Sequence, residues 1–400
     1  MAEGAKTVQA MLARLYTRHT FGIKLGLHVE EALLGRMGNP QRGLACIHVA
    51  GTNGKGSVCA LLDSIFRAAG QRALIVSDAQ VDAHYGARCE ALLAGYGMKV
   101  RRAVVPAGEG TKDLKYVQEL YERAVEAGLD RHATIVALGG GMVGDLAGFV
   151  AATYLRGVRF VQLPTTLLAM VDSSVGGKTG VNLKAGKNLV GAFYQPVEVV
   201  ADLATLATLP DREYASGLAE VVKYGVIWDA ALFRKLEEQV AGLTQRDLTV
   251  LEAIVARCCE IKAEVVAVDE RDAGVRAILN FGHTLGHAVE NVAHYDRWLH
   301  GEAVALGMVY AAELSRRETG FPDEDAKRLT RLLKDLGLPV HPGAGGFGGD
   351  WVALRAAMST DKKSRQSVPR FVLAQKLGAV VFDHAVPEDV AAEAFGAVFG

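Results

Sequence analysis

Four histidines and two glutamates stand among apolar residues in ILNFGHTLGHAVENVAHYDRWLHGEAV, residues 278 to 304. His283 and His287 are four residues apart, so a helix projects both imidazoles from one face. Neutral imidazole is a common ligand for divalent metals, and a helix holds such ligands rigidly. His300 follows a polar and aromatic break and precedes a new apolar run, AVALGMVYAAEL. A helix, a loop and a second helix would return His300 to the side of His283. An HxxxH pair is common, so the spacing alone also fits two unrelated surface or core histidines. Glu220 and Lys223, three apart in SGLAEVVKYG, lie in a Gly-Ala-Val context that favours a buried role over a surface ion pair. Lys262 and Arg276 lie near the histidine stretch and would form an anion site.

Other stretches offer phosphate chemistry. ATIVALGGG runs into Met142-Val143-Gly144-Asp145 and then an apolar helix. Glycines between a strand and a helix let a pyrophosphate approach the backbone and the helix N-terminus. This is not GxGxxG, and a tightly packed turn would look the same. PAGEGTK, residues 106 to 112, also follows a strand. Asp172, Lys178, Lys187 and Asn188 are read as lying in Gly-rich loops that line a ligand cleft. Near the N-terminus, ACIHVAG leads into GTNGKGS and then VCALLDSIFRAAG, a strand, a glycine turn carrying Lys55 and a helix. That is the recipe for a phosphate cradle.

The elements that must hold these residues follow from periodicity. From Ala73, short apolar runs alternate with helical stretches: ALIVSD, AHYGARCEALLAGYG, VRRAVVP, TKDLKYVQELYERAVEAG, ATIVALGGG, FVQLPTT. Strands separated by helices predict a parallel, Rossmann-like sheet, which binds ligands at the C-terminal ends of its strands. From about Pro210 a helical period dominates through DREYASGLAEVVKYGVI, AALFRKLEEQVAGL, DLTVLEAIVARCCEIKAEVVAVD, the histidine stretch, DAKRLTRLLKDLG and DWVALRAAMSTDKK. The chain closes with a predicted strand pair, RFVLAQKLGAVVF, and a helix. The fold class is thus α/β followed by all-α, with three segments: a P-loop fragment at 1–71, a nucleotide-binding half at 72–209 and a helical half at 210–400.

Composition sets bounds. Of 400 residues, 50% are hydrophobic and 22% charged, as in ordinary globular enzymes. A formal net charge of -1 gives no field to recruit nucleic acid or an anionic membrane, so an anionic substrate must meet local Lys and Arg. Cys46, Cys59, Cys89, Cys258 and Cys259 form no CxxC pair. They read as reduced thiols of a cytoplasmic protein. Neither a secretory signal nor an apolar run of ~18 residues is seen.

Two resemblances follow from these motifs. RHTFGIKLGL, GNPQ and HVAGTNGKGSVCALLDSIFRAAG resemble the opening of folylpolyglutamate synthase, a Mur-ligase relative. The rest of that ligase's ATPase domain has no counterpart, so ATP chemistry is not expected from residues 1–71. Residues from about 73 to 400 resemble the 3-dehydroquinate synthase family. SDAQV, PAGEGTK, LGGGMVGDLAGF, LPTTLLAMVDSSVGGKTGVN, GKNLVGAFYQP, SGLAEVVKYG, LNFGHTLGHAVE, LHGEAVALGM and TDKK carry the likeness, in order.

The second resemblance implies a site between an NAD-binding α/β half and a helical half. It implies zinc, with cobalt often accepted, held by Glu220, His283 and His300, and His287 in an acid/base or substrate-contact role. It assigns NAD to Asp78, to Glu109 and Lys112, and to Gly141, Met142, Val143, Gly144 and Asp145. Thr165 and Thr166, Lys178 and Lys187, and Thr205, Leu206, Ala207 and Thr208 complete that set. Substrate and phosphate fall to Arg156, Asp172, Lys178, Asn188, Lys223, Lys262, Arg276, Asn280 and one of Lys362 or Lys363. The implied reaction closes 3-deoxy-D-arabino-heptulosonate 7-phosphate, a sugar acid phosphate, into 3-dehydroquinate. Transient oxidation acidifies a proton, phosphate leaves by β-elimination, the hydride returns, and an aldol step closes the ring. A homodimer is implied as well.

The chain departs from the family in two places. The ligase-like segment stands where the family has a β-rich stretch, and PAGEGTK has Ala107 and Gly110-Thr111 where Asp and Gln-Tyr are usual. Altered cofactor contacts are expected there. Competing readings are another sugar-phosphate cyclase (a 2-epi-5-epi-valiolone or aminodehydroquinate synthase), a metal-dependent alcohol dehydrogenase of the glycerol dehydrogenase type, and an ATP-dependent ligase led by Lys55.

Overall fold

The computed structural model describes residues 71–400 except 184–185, 273, 294–296, 344–345, 348–349 and 361–367. The P-loop fragment with Lys55, the cysteines Cys46 and Cys59, and the pair Lys362 and Lys363 therefore lie outside the described residues.

Five parallel strands form the first layer: β1 (Arg72–Asp78), β2 (Lys99–Val105), β3 (Thr134–Gly139), β4 (Arg159–Pro164) and β7 (Glu198–Val199), in the order β2-β1-β3-β4-β7. β3, TIVALG, is buried at every position, as a strand covered on both faces requires. β2, KVRRAVV, is exposed at alternate and charged positions and lies at the edge. The chain leaves β1 for β2 on one side and returns to β3 on the other. The C-terminal ends of β1 and β3 thus flank a switch point, where such sheets place ligands. The expected parallel, Rossmann-like sheet is present.

One sequence expectation fails. Lys178, Lys187 and Asn188 lie on strands, not in loops. β5 (Lys178–Leu183) pairs antiparallel with β6 (Gly186–Phe193) as a separate two-stranded sheet. Glycines and lysines hide its alternation, because the hairpin lays only part of one face on the Gly141–Thr153 helix. A Cβ on Gly148 of that helix would stand 2.4 Å from Thr179 Cγ2. Asp172 likewise sits in a wide helical turn, Ala169–Ser173, rather than a loop.

The second layer is helical, as expected, and closes with the antiparallel pair β8 (Arg370–Lys376) and β9 (Ala379–Ala385) and the Glu388–Phe399 helix. AALFRKLEEQVAGL divides at Gln239 into Ala230–Glu238 and Val240–Thr244. The Asp211–Ile227 helix is the axis of this half: every residue from Ser216 to Ile227 is buried. A helix buried all round must meet its neighbours closely. The His300–Glu318 helix does so through small residues. A Cβ on Gly301 would stand 1.8 Å from Ser216 O, and one on Gly307 1.8 Å from Gly282 O. Glycine at these two positions seats the helix simultaneously against the Asp211–Ile227 helix and the start of the His283–Val292 helix.

Candidate metal and nucleotide site

Three elements converge on one carboxylate. Glu220 and Lys223 face inward from the Asp211–Ile227 helix, 0% and 1% exposed, and form an ion pair. His283 opens the His283–Val292 helix, and His300 opens the next one. Gly301 brings His300 within reach of Glu220, its amide donating to Ser216 Oγ at 3.0 Å. His283 Nε2 and His300 Nε2 lie 3.4 and 3.7 Å from Glu220 Oε1. Ligand atoms of the three residues all fall within 4.8 Å of one another.

The remaining imidazole nitrogens explain this orientation. His283 Nδ1 faces Phe281 O at 3.1 Å, and a carbonyl only accepts, so Nδ1 carries the proton and Nε2 turns a lone pair inward. His300 Nδ1 faces Glu290 Oε2 at 3.2 Å. Glu290 also meets Lys187 Nζ at 3.4 Å through Oε1. Burial alone would raise the Glu290 carboxyl, but His300 and Lys187 outweigh it and hold it down to about 2. Burial, then Lys223 and the other two imidazoles, hold His283 well below the ordinary histidine range. Burial also opposes charge on His300, yet Glu290 and Glu220 push it up to about 10.

This donor set fits a divalent ion. Both Glu220 oxygens are buried without a well-formed hydrogen bond. Two donors ~2.1 Å from a tetrahedral ion stand about 3.4 Å apart, close to the separations here. One carboxylate and two imidazoles leave further coordination positions for substrate oxygens. His287 lies outside this trio. Its ring is edge-on to His283 with centroids 5.3 Å apart, and it is exposed.

Cations gather beside the trio. Lys262 Nζ donates to Asp172 Oδ1 at 2.7 Å and to Asp172 O at 2.6 Å. Tyr224 donates its phenol proton to the same Asp172 Oδ1 at 2.9 Å. Burial, with Asp172 and Glu220 adding to it, raises the Tyr224 phenol well above its usual range and keeps it a donor. Burial lowers the Lys262 ammonium, and Asp172 opposes that shift. Lys262 and Lys223 together hold the Asp172 carboxyl far below its usual value, against the burial that would raise it. Arg276 is buried, donates to Glu270 O and Gly176 O at 2.6 and 3.1 Å, and keeps a buried Nε without a hydrogen-bond partner. Lys262 and Arg276 therefore flank the same turn, residues 172–177. Lys178, 51% exposed, pairs with Asp272 at 2.6 Å. Asn280 spends its amide on Ala277 O at 2.8 Å.

The glycine turn stands at the sheet's C-terminal edge. Gly140 caps the Gly141–Thr153 helix without a side-chain hydrogen bond, which leaves first-turn amides for an anion. Val143 is core and Met142 packs against it, so these two offer backbone only. Lys112 is buried and pairs with Asp145 at 2.5 Å, while burial pushes the Asp145 carboxyl up. Thr165 is buried with an unpartnered hydroxyl, and its carbonyl accepts from Thr205 Oγ1 at 3.4 Å. Thr166 Oγ1 accepts from Ala169 N at 3.1 Å. Glu109 accepts from Asn182 Nδ2 at 2.8 Å, and Asn182 Oδ1 in turn accepts from Asn188 N at 2.9 Å.

Three predicted cofactor residues also carry contacts within the protein, and a fourth site residue, Arg156, is exposed. Asp78 caps the turn after β1, accepting from Gln80 N and Val81 N. Leu206 is core, and its carbonyl accepts from Arg246 at 2.6 Å. Thr208 pairs with Tyr85 OH at 2.6 Å. Arg156 is exposed beyond the far end of the Gly141–Thr153 helix, just before β4, so this chain alone does not bring it to the cluster. Three residues escaped sequence reasoning: Glu290, Tyr224 and Asn182. Glu290 had a signal, since it sits three residues after His287 on the same helix. Asn182 had none.

Comparison with known proteins identifies relatives of this chain. Family models described as 3-dehydroquinate synthase N-terminal and C-terminal match residues 102–216 and 217–364. A 3-dehydroquinate synthase of Desulforamulus reducens is 50% identical over 311 residues, 78% of this chain and 86% of that protein. Among solved structures, 2-epi-5-epi-valiolone synthase from Streptomyces hygroscopicus subsp. jinggangensis 5008, with NAD+ and Zn2+ bound, is 28% identical with a TM-score of 0.77, covering 89% of this chain and 98% of that one. A 2-deoxy-scyllo-inosose synthase complexed with carbaglucose-6-phosphate, NAD+ and Co2+ is 28% identical with a TM-score of 0.76, covering 86% and 95%. With half of 311 aligned residues identical to a dehydroquinate synthase, across 86% of that protein, this chain belongs to the 3-dehydroquinate synthase family.

Proposed function

We propose that the chain is a 3-dehydroquinate synthase, a carbon-oxygen lyase that closes 3-deoxy-D-arabino-heptulosonate 7-phosphate into 3-dehydroquinate and releases phosphate. The observation that carries the reading is the meeting of Glu220, His283 and His300 on one buried point beside buried Lys223, Lys262 and Arg276. Residues 72–209 serve as the cofactor half and residues 210–400 as the metal and substrate half. Bound NAD and Zn2+ or Co2+ supply reversible hydride acceptance and Lewis acidity.

The chain's own residues do the rest. Lys262 and Arg276 anchor the anionic ends of the substrate, and Lys178 and Asn188 reach it from the hairpin. Asp172, held ionised by Lys262 and Lys223, fixes where the Lys262 ammonium points. Buried Tyr224 keeps its proton and locks that carboxylate in place. His287, exposed at the mouth of the trio, exchanges a proton with the bound substrate. First-turn amides of the Gly141–Thr153 helix receive the dinucleotide's pyrophosphate. Arg156, exposed beyond the far end of the Gly141–Thr153 helix, is free to serve a partner subunit's site in a homodimer.

The full chain, given the heptulosonate phosphate, NAD and Zn2+, is expected to release phosphate and form dehydroquinate in equal amounts without net NADH. A chelator should stop both and added zinc restore them. Turnover of sedoheptulose 7-phosphate in its place would favour the valiolone-type cyclase. Net NADH from a simple alcohol would favour a dehydrogenase.

A further inference from the structure

The two inward-facing imidazoles are held differently. His283 is oriented by a backbone carbonyl two residues away in its own chain segment, Phe281 O. His300 is oriented by a side chain, Glu290, which sits on another helix and is 6% exposed. The second oxygen of that carboxylate faces Lys187 on β6 of the hairpin, 103 residues away in sequence. One buried group therefore touches both an imidazole of the trio and the hairpin that projects from the sheet half.

We propose that Glu290 is a positioning residue that fixes His300 for metal binding and transmits the placement of the β5–β6 hairpin, through Lys187, to the metal. The inference rests on the proposed metal site. A carboxylate on Nδ1–H fixes the tautomer that presents Nε2 to Glu220, and it raises the basicity of that nitrogen. Glutamine in its place keeps the shape but not both contacts. An amide that accepts from His300 turns its NH2 toward the Lys187 ammonium. Of the two imidazoles, only His300 would then feel a shift of the hairpin, because His283 is tied to its own backbone.

The test is metal affinity rather than turnover. Zn2+ dissociation constants from chelator competition, and the visible spectrum of the Co2+-loaded protein, would be measured for the full chain and for Glu290→Gln, Lys187→Met, the double variant and His283→Ala. Glu290→Gln is expected to weaken zinc about 10- to 100-fold and to shift the cobalt bands. Lys187→Met is expected to change the zinc constant by about threefold or more in the wild-type background and to leave it unchanged in the Glu290→Gln background. Zinc bound by Glu290→Gln as by wild type, or an equal Lys187→Met effect in both backgrounds, would overturn the proposal. Should Glu290→Gln not fold, Lys187→Met alone decides: shifted cobalt bands support the relay and unshifted bands refute it. His283→Ala separates the failures. If it loses metal while Glu290→Gln does not, only this inference falls; if it binds zinc like wild type, the metal site itself falls.

Discussion

The glycine turn of the sheet half and the carboxylate trio of the helical half look equally suggestive in sequence, yet they are built on opposite terms. Around the turn, the space a Cβ would need is filled by the protein itself. Gly139 faces Val143, Gly141 faces Ser173 Oγ at 2.8 Å, and Gly144 faces Gln162 Oε1 at 2.7 Å. Packing alone accounts for those glycines. At the trio, two carboxylate oxygens are taken from water and given no well-formed hydrogen bond, beside a buried ammonium. Packing does not account for that, because unsatisfied buried charge is costly. Close packing explains the glycines of the turn, and it does not explain the buried carboxylate of the trio.

That contrast can be broken at graded strength. Glu220→Gln should have the largest effect. It is expected to abolish tight zinc binding and lower phosphate release by at least about a thousandfold. Its metal-free form should also lose about 3–5 kcal/mol in denaturant unfolding, since Lys223 would stay buried without its partner. Gly301→Ala comes next. It adds a methyl where Ser216 O stands at 1.8 Å, so the His300 helix must back away from Glu220. Both stability and zinc affinity should fall, by about 1–3 kcal/mol in the thermal midpoint analysis and by a measurable factor in chelator competition.

Acid provides a third, milder probe. Asp172 titrates far below its usual range when folded, so it stabilises the fold fully above the ordinary aspartate value of about 4 and loses that contribution as pH falls below it. Wild type should therefore lose stability from pH 5 to pH 3 more steeply than Asp172→Asn. Equal slopes would remove Asp172 from the account. The smallest stability effect belongs to the hairpin's exposed pair. Lys178→Ala breaks the contact with Asp272 at a cost of about 0–1 kcal/mol, while turnover of the sugar phosphate falls.

How much of this was readable in the sequence depends on how far each interaction reaches. The i, i+4 histidines and the i, i+3 Glu220–Lys223 pair share a helix with their partners, so spacing exposed them. His300 was readable because a helix, a break and a helix form a short return. The hairpin was not readable: its glycines admit close strand contact but erase the apolar alternation that marks strands. Glu290 was visible as a residue but not as a bridge, because its partners His300 and Lys187 come from two other elements. Asp78 read as a cofactor residue from its place at a strand end, while its capping of the following turn was not legible there.

The most direct measurement is a cobalt anomalous-scattering map of crystals of the full chain soaked in Co2+. A single strong peak bonded to Glu220, His283 Nε2 and His300 Nε2 is predicted. A peak elsewhere, or none at that point in crystals that bind cobalt, would contradict the account.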